Sequence, residues 1–172
     1  MSELTAEEFR QFPVALKGHF YEDFVPGRTF VHRRGRTLQA ADNTLFNALT
    51  VQLNPLYFDE AEARAAGHAA VPLQPWLVFA TVFGLSVEDL SEKGGAFLGI
   101  DGLQFVRPVY PGITLRARSE VRACRRSGKN PGFGIVTWFT EGLEESSGET
   151  VVSFSRTNMV HARAALTAEA AR

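Results

Sequence analysis

Gln74-Pro75-Trp76-Leu77 opens an apolar run that continues to Phe83, and its residue types set up one piece of chemistry. Pro75 suits the first position of a helix, because the N–H it lacks has no helical partner there. The amides of Trp76 and Leu77 then fall in the first turn. Such donors can hold a carbonyl oxygen that gains negative charge during a reaction. Equally, Gln74 or another side chain can cap them in a purely structural role; the pattern leaves both readings open. Upstream, Pro55 excludes helix from Asn54-Pro55-Leu56-Tyr57-Phe58-Asp59 and pushes Asn54 to an extended conformation, so polar and aromatic groups there sit on irregular backbone. Asp42 falls in the first turn of another helix, where an acidic group suits the helix dipole. His68 follows Gly67 in a loop and reads as a surface residue. Arg33, Arg34 and Arg36 around Gly35 read as a solvated strand edge that discourages pairing between molecules, or else as phosphate ligands. Cys124 reads as a small apolar filler within a strand.

Helices and strands must position these groups. Leu45, Phe46 and Leu49 recur at helical spacing within 40–49, and Asp59 with Glu62 gives a capping-box start to a short helix that Gly67 ends. The run Trp76-Leu77-Val78-Phe79-Ala80-Thr81-Val82-Phe83 has no polar face, which predicts a helix buried on all sides, with Val87 to Leu90 completing a turn beyond Gly84. Thr5 and Glu8 predict a short N-terminal helix ending near Pro13. Residues 28–38 predict one long edge strand. Four later runs, 96–110, 113–125, 132–143 and 150–163, are separated by turn residues at Pro111-Gly112, 127–131 and 144–148, which predicts a four-strand meander of hairpins. In the second run Leu115, Ala117, Ser119, Val121 and Ala123 alternate with Arg116, Arg118, Glu120 and Arg122, so one face meets a core and one meets water. The β-rich half is the only segment able to wrap the apolar helix. The expected class is α+β, a curved antiparallel sheet around a central buried helix.

The 172 residues predict a single domain, 1–172, with 1–19 as a helical extension and 164–172 as a tail. A balance of 18 basic against 19 acidic side chains, net charge −1, argues against a nucleic-acid partner bound through its phosphates. The single cysteine allows no intrachain disulfide and no cysteine-based metal cluster. The first twelve residues are polar and acidic, unlike a signal peptide, and the apolar run is shorter than the roughly 20 residues that span a bilayer. The sequence reads as cytoplasmic, with no membrane partner.

Asn54-Pro55-Leu56-Tyr57-Phe58-Asp59, Ala41-Asp42-Asn43 with Leu45-Phe46, and Gln104-Phe105-Val106-Arg107-Pro108-Val109-Tyr110-Pro111-Gly112 together resemble the MaoC-like hydratases, which have the hotdog fold. Gly84-Leu85-Ser86-Val87 and Phe154-Ser155-Arg156-Thr157 draw the likeness toward the mesaconyl-CoA hydratase-like branch. The resemblance runs from about Phe20 to about Arg163. It implies an (R)-specific enoyl-thioester hydratase or 3-hydroxyacyl dehydratase acting on CoA or acyl-carrier-protein thioesters, with no cofactor and no metal. In the family's D-x-N-P-x-H motif an Asp and a His orient water and shuttle its proton. Carried over by position, Asn54 and Pro55 match, whereas Gln52 stands at the Asp position and Tyr57 at the His position. The resemblance therefore implies Tyr57, Gln52 and Asn54 as the catalytic set. It implies Gln74, Trp76, Leu77, Asp42, Arg107 and Arg125 as substrate-binding. Loss of a positioned acid/base costs about 100- to 10,000-fold in rate, or about 2.7 to 5.5 kcal/mol. The departure at Gln52 and Tyr57 thus also admits a non-catalytic hotdog subunit paired with a catalytic partner, or a different thioester reaction such as hydrolysis. A homodimer, or a heterodimer with a catalytic hotdog subunit, is expected.

Overall fold

The computed structural model describes residues 17–163. The N-terminal helix expected to end near Pro13 and the tail from residue 164 lie outside them. Within them, three helices, α1 (Ala40–Thr50), α2 (Glu60–Ala65) and α3 (Pro75–Leu90), precede most of one antiparallel sheet. Its strands are β1 (Thr29–Val31), β2 (Arg36–Thr37), β3 (Gly94–Phe105), β4 (Thr114–Arg126), β5 (Phe133–Glu144) and β6 (Thr150–His161). They lie in the order β1-β4-β5-β6-β3, with β2 also pairing β4. This is the expected α+β architecture, an antiparallel sheet with a long helix packed against it.

Four expectations are corrected. The edge strand at 28–38 is split into β1 and β2, both on β4, because Arg33-Arg34-Gly35 interrupts the pairing. Pro111-Gly112 is a crossover and not a hairpin, since β3 pairs with β6 while β4 pairs with β5. The strand expected to reach Tyr110 stops at Phe105, and beyond it Pro108 and Pro111 have no N–H to give a ladder. Leu73 N–H instead donates to Val109 O at 2.7 Å, and Gly112 N–H to Leu38 O at 2.7 Å, which pins the crossover. The inside-outside alternation of β4 also breaks at Arg122, where the register shifts between Val121 and Ala123. Ala123 is consequently exposed, and Cys124 turns toward the buried aromatic cluster, where burial pushes its thiol above the usual value.

The apolar helix is the largest correction. α3 runs unbroken through Gly84, and it is covered on one side only: Val78, Val82, Ser86 and Leu90, four residues apart, are buried, whereas Trp76, Ala80 and Gly84 are exposed. Ala80 was expected inside with Phe79 and Phe83; those two rings are partly buried against the core and Ala80 is not. A sheet of one chain reaches only one face of a helix. The core beneath it joins Leu38, Leu73, Val78, Val82, Leu115, Val151 and Phe154.

The C-terminal turns of α3 are tied to the sheet by a polar chain. Asp89 is an acceptor only, so His32 Nδ1–H donates to its Oδ2 at 2.6 Å. His32 Nε2 must then accept from the Ser119 hydroxyl at 2.9 Å, and Ser119 in turn accepts from Thr140 at 2.8 Å. Burial pushes His32 below its ordinary value of 6.5, against an opposing pull from Asp89 and with a further push from Arg156. Arg156 is itself fully buried, over the rings of Phe83 and Trp138, and burial lowers it to about 10. As pH falls through about 6.5 the unfolded chain protonates His32 before the folded protein does, so stability should decline as pH drops below about 6.5. Urea midpoints at several pH values should show that decline in the wild type and a flatter profile in His32→Gln. Identical profiles would contradict the assignment.

Candidate active site

α1 buries its asparagines, not its leucines. Asn43 and Asn47 are buried while Leu45 and Leu49 are exposed, the opposite of what the leucine spacing suggests. The cause is the irregular segment that follows, whose carbonyls have no ladder partner and must be met by side chains. Asn43 Nδ2 donates to Tyr57 O at 2.7 Å and lies 3.4 Å from Pro72 O, and Asn47 Nδ2 also donates to Tyr57 O at 3.2 Å. Asn43 Oδ1 accepts from Gln74 N at 2.7 Å. One buried side chain therefore joins α1, the turn before α2 and the start of α3. The chain leaves α1 through Val51 at φ 56°, a left-handed conformation that a β-branched residue adopts only under strain.

The amides at the start of α3 are occupied. Trp76 N–H donates to Gln74 Oε1 at 3.0 Å and Leu77 N–H to Gln74 O at 2.9 Å, which is the capping reading and not the free-donor one. That cap fixes the orientation of both glutamines. Because Gln74 Oε1 accepts, Gln74 Nε2 must donate to Gln52 Oε1, 3.2 Å away, leaving the Gln52 amide nitrogen as a donor. Asn54 caps the short 3₁₀ turn Pro55–Tyr57, its Oδ1 accepting from Leu56 N at 3.1 Å. Asp42 closes a capping interaction at α1: it accepts from Gln39 N at 2.8 Å and Arg36 Nη2 at 2.8 Å, and these hold its carboxyl below the usual range.

A cavity of about 340 Å³ lies between the 3₁₀ turn, α3 and the crossover. Its walls are mainly apolar, with Pro75, Val78, Phe105 and Val151 among them, and its polar groups include Tyr57, His68 and Arg107. Of the residues implied by the resemblance, Tyr57 and Arg107 face this space. Gln52, Gln74 and Trp76 form a chain of hydrogen bonds behind it, Asn54 and Asp42 cap helices, and Leu77 packs on the core. Arg107 pairs with Glu144 and approaches Glu149 at 3.4 Å, so any phosphate would compete with two carboxylates. Arg125 lies opposite Ile135 while Leu115, at the other end of β4, lies opposite Glu144; at about 3.3 Å per residue this separates Arg125 from Arg107's partner by roughly 30 Å. Most neighbouring arginines are engaged too: Arg116 with Glu145, Arg118 with Glu141, Arg122 with Glu120 and Arg126 with Glu22. His68, which the sequence places in a loop as a surface residue, lines this cavity. It is half-buried, and its Nδ1 lies 2.9 Å from the Tyr110 hydroxyl, a contact between residues 42 apart that no spacing rule signals. Among the described residues no cluster of three or more His, Cys, Asp or Glu could hold a metal. No described helix is long and apolar enough to cross a membrane.

The chain is 41% identical over 147 residues to the mesaconyl-CoA hydratase of Haloarcula hispanica, an alignment covering 86% of this chain and 41% of that protein. It is 34% identical over 123 residues to the (R)-specific enoyl-CoA hydratase of Aeromonas caviae, covering 70% of this chain and 89% of that protein. In three dimensions it matches a Chloroflexus aurantiacus structure described as a MaoC domain protein dehydratase, with TM-score 0.81, 35% identity, and coverage of 85% of this chain and 41% of that one. The chain thus spans about two-fifths of the length of the mesaconyl-CoA hydratase it matches. A sequence model described as Mesaconyl-CoA hydratase matches residues 7–172, and the chain belongs to the mesaconyl-CoA hydratase family, within the MaoC-like hotdog proteins.

Proposed function

We propose that this protein is a hydro-lyase that adds water to an enoyl-CoA thioester, or removes it from the 3-hydroxyacyl product, with (R) configuration at the new alcohol. The observation that carries this reading is the apolar cavity at the start of α3, which offers an acyl group an apolar wall and a polar end at Tyr57. The Tyr57 hydroxyl acts as a hydrogen-bond donor to the thioester or the attacking water. Gln52 acts as a positioning residue, holding the Gln74 side chain that caps α3. If Gln74 rotates away, the Trp76 amide becomes a donor to the thioester oxygen as that oxygen gains charge. The carrier is CoA, as in the names of the CoA-thioester hydratases to which the chain is similar, and an acyl carrier protein is the alternative.

A second hotdog unit completes the active assembly, either another copy of this chain or a catalytic partner. The outer edge of β3 is unpaired among the described residues, and Phe97 at 52% and Leu98 at 49% exposure lie on it. The uncovered side of α3 presents Trp76, 48% exposed, with Ala80 and Gly84. A long apolar edge of this kind is stabilised by pairing, and two-fold pairing removes both copies of it. The rival reading is a binding subunit whose partner supplies the chemistry. Gln52 and Tyr57 at the family's two ionisable positions favour it.

A structure with a non-reactive acyl-CoA thioether tests the site. The acyl group should lie between Tyr57, Pro75 and Val78, displacing the Gln74 cap. An acyl group bound elsewhere, with this cavity empty, would overturn the assignment.

A further inference from the structure

We propose that His68 is a catalytic residue of the same site, the acid/base that the sequence lacks at Tyr57. This rests on the reading of the cavity as an acyl-thioester site. Tyr57, His68 and Arg107 are the lining residues with ionisable side chains, and histidine is the side chain whose ordinary titration falls between pH 5 and 8. The ring is held at both ends of the segment that carries it. On the backbone side, α2 is closed by Gly67 at φ 86°, with Gly67 N–H donating to Arg64 O at 2.9 Å and His68 N–H to Ala63 O at 2.9 Å. On the side-chain side, Nδ1 meets the hydroxyl of Tyr110, which belongs to the crossover pinned by the Leu73–Val109 bond. Nε2 has no hydrogen-bond partner among the described residues.

The tautomer follows from what the step requires. We assign Nδ1–H as the donor to the Tyr110 hydroxyl, which can accept, and this tautomer leaves a lone pair on Nε2. In hydration, the water oxygen bonds to the β-carbon of the enoyl group while Nε2 takes a proton from that water. The alkene electron pair moves toward the thioester carbonyl. The imidazolium keeps its Nδ1–H bond to Tyr110 throughout, then returns the proton to the α-carbon as the carbonyl reforms. Water is consumed, one C–O and one C–H bond form, and the protein ends as it began. Dehydration runs the same steps backward. Tyr57, which lines the same cavity, donates its hydroxyl hydrogen bond without exchanging a proton.

The test compares wild type, His68→Gln, His68→Asn and Tyr110→Phe for turnover of an enoyl-CoA from pH 5 to 8, alongside affinity for a non-reactive acyl-CoA thioether. Wild-type kcat should show an inflection in that range. Both His68 variants should lose it and fall at least 100-fold in kcat, with thioether affinity changed less than about threefold. Tyr110→Phe should keep the inflection with a smaller loss, as a positioning residue does. Turnover and an inflection retained in either folded His68 variant would overturn the proposal while leaving the site assignment standing. A wild type that binds the thioether without turning over any enoyl-CoA would overturn it too. Failure of the wild type to bind any acyl thioester would instead overturn the proposed function, and this inference with it.

Discussion

Tyr57→Phe is expected to lower turnover on enoyl-CoA at least tenfold, about 1.4 kcal/mol of transition-state stabilisation, while leaving the unfolding midpoint unchanged. The substitution removes one oxygen. The segment around it is held through the Tyr57 carbonyl, which accepts from Asn43 and Asn47, and not through the phenol. Loss of the hydroxyl therefore separates chemistry from scaffolding. Tyr57→His combined with Gln52→Asp restores the family's ionisable pair. This double variant should hydrate a simple enoyl-CoA faster than the wild type. Equal rates for wild type and Tyr57→Phe, at matched thioester affinity, would remove Tyr57 from the mechanism.

Asn43→Leu is expected to loosen the scaffold that holds the site together. Leucine is similar in size but cannot replace the bonds that asparagine makes to Gln74 N, Tyr57 O and Pro72 O. The buried Gln74 N–H loses its acceptor, at about 1–3 kcal/mol. Tyr57 O keeps its bond from Asn47 Nδ2. Because Asn43 alone links α1 to both sides of the cavity, turnover should fall further than stability. Urea unfolding should show a lower midpoint, and kinetics of the still-folded fraction should show at least a tenfold loss. Asn43→Asp keeps the acceptor for Gln74 N but not the donor, and should restore part of the stability. A folded Asn43→Leu protein of undiminished stability would show that the tripartite link is dispensable.

The parts of the fold that a one-dimensional pattern encodes were legible. The β runs, the Asp59 cap and the start of α3 at Pro75 follow from alternation, capping spacing and proline geometry, and the structure has Asp59 Oδ1 accepting from Ala61 N at 2.8 Å. What the pattern could not carry was the identity of neighbours. Nothing local distinguishes a hairpin at Pro111-Gly112 from a crossover, because the choice is made by β3 pairing with β6, about fifty residues away. The helix periodicity of α1 pointed to Leu45 and Leu49, yet the buried positions went to Asn43 and Asn47, whose value comes from carbonyls in a different segment. In α3 the absence of a polar face pointed to burial on every side, whereas Val78, Val82, Ser86 and Leu90 alone are buried. Only one of those sides is supplied by this chain, so Ala80 is exposed. Likewise the residues implied by the family motif were identified by position, but which of them share a cavity depends on tertiary placement: Tyr57 does, Gln52 and Asn54 do not, and His68, outside the motif, lines it too.

The most direct measurement of the central claim is enoyl-CoA hydration by the wild-type protein alone, with the configuration of the alcohol determined. The account predicts turnover far above the rate in buffer and an (R)-3-hydroxyacyl product. Tight binding of the thioester with no turnover, together with hydration that appears only when a second hotdog subunit is added and is indifferent to Tyr57→Phe, would contradict it and leave the chain as the binding half of another enzyme.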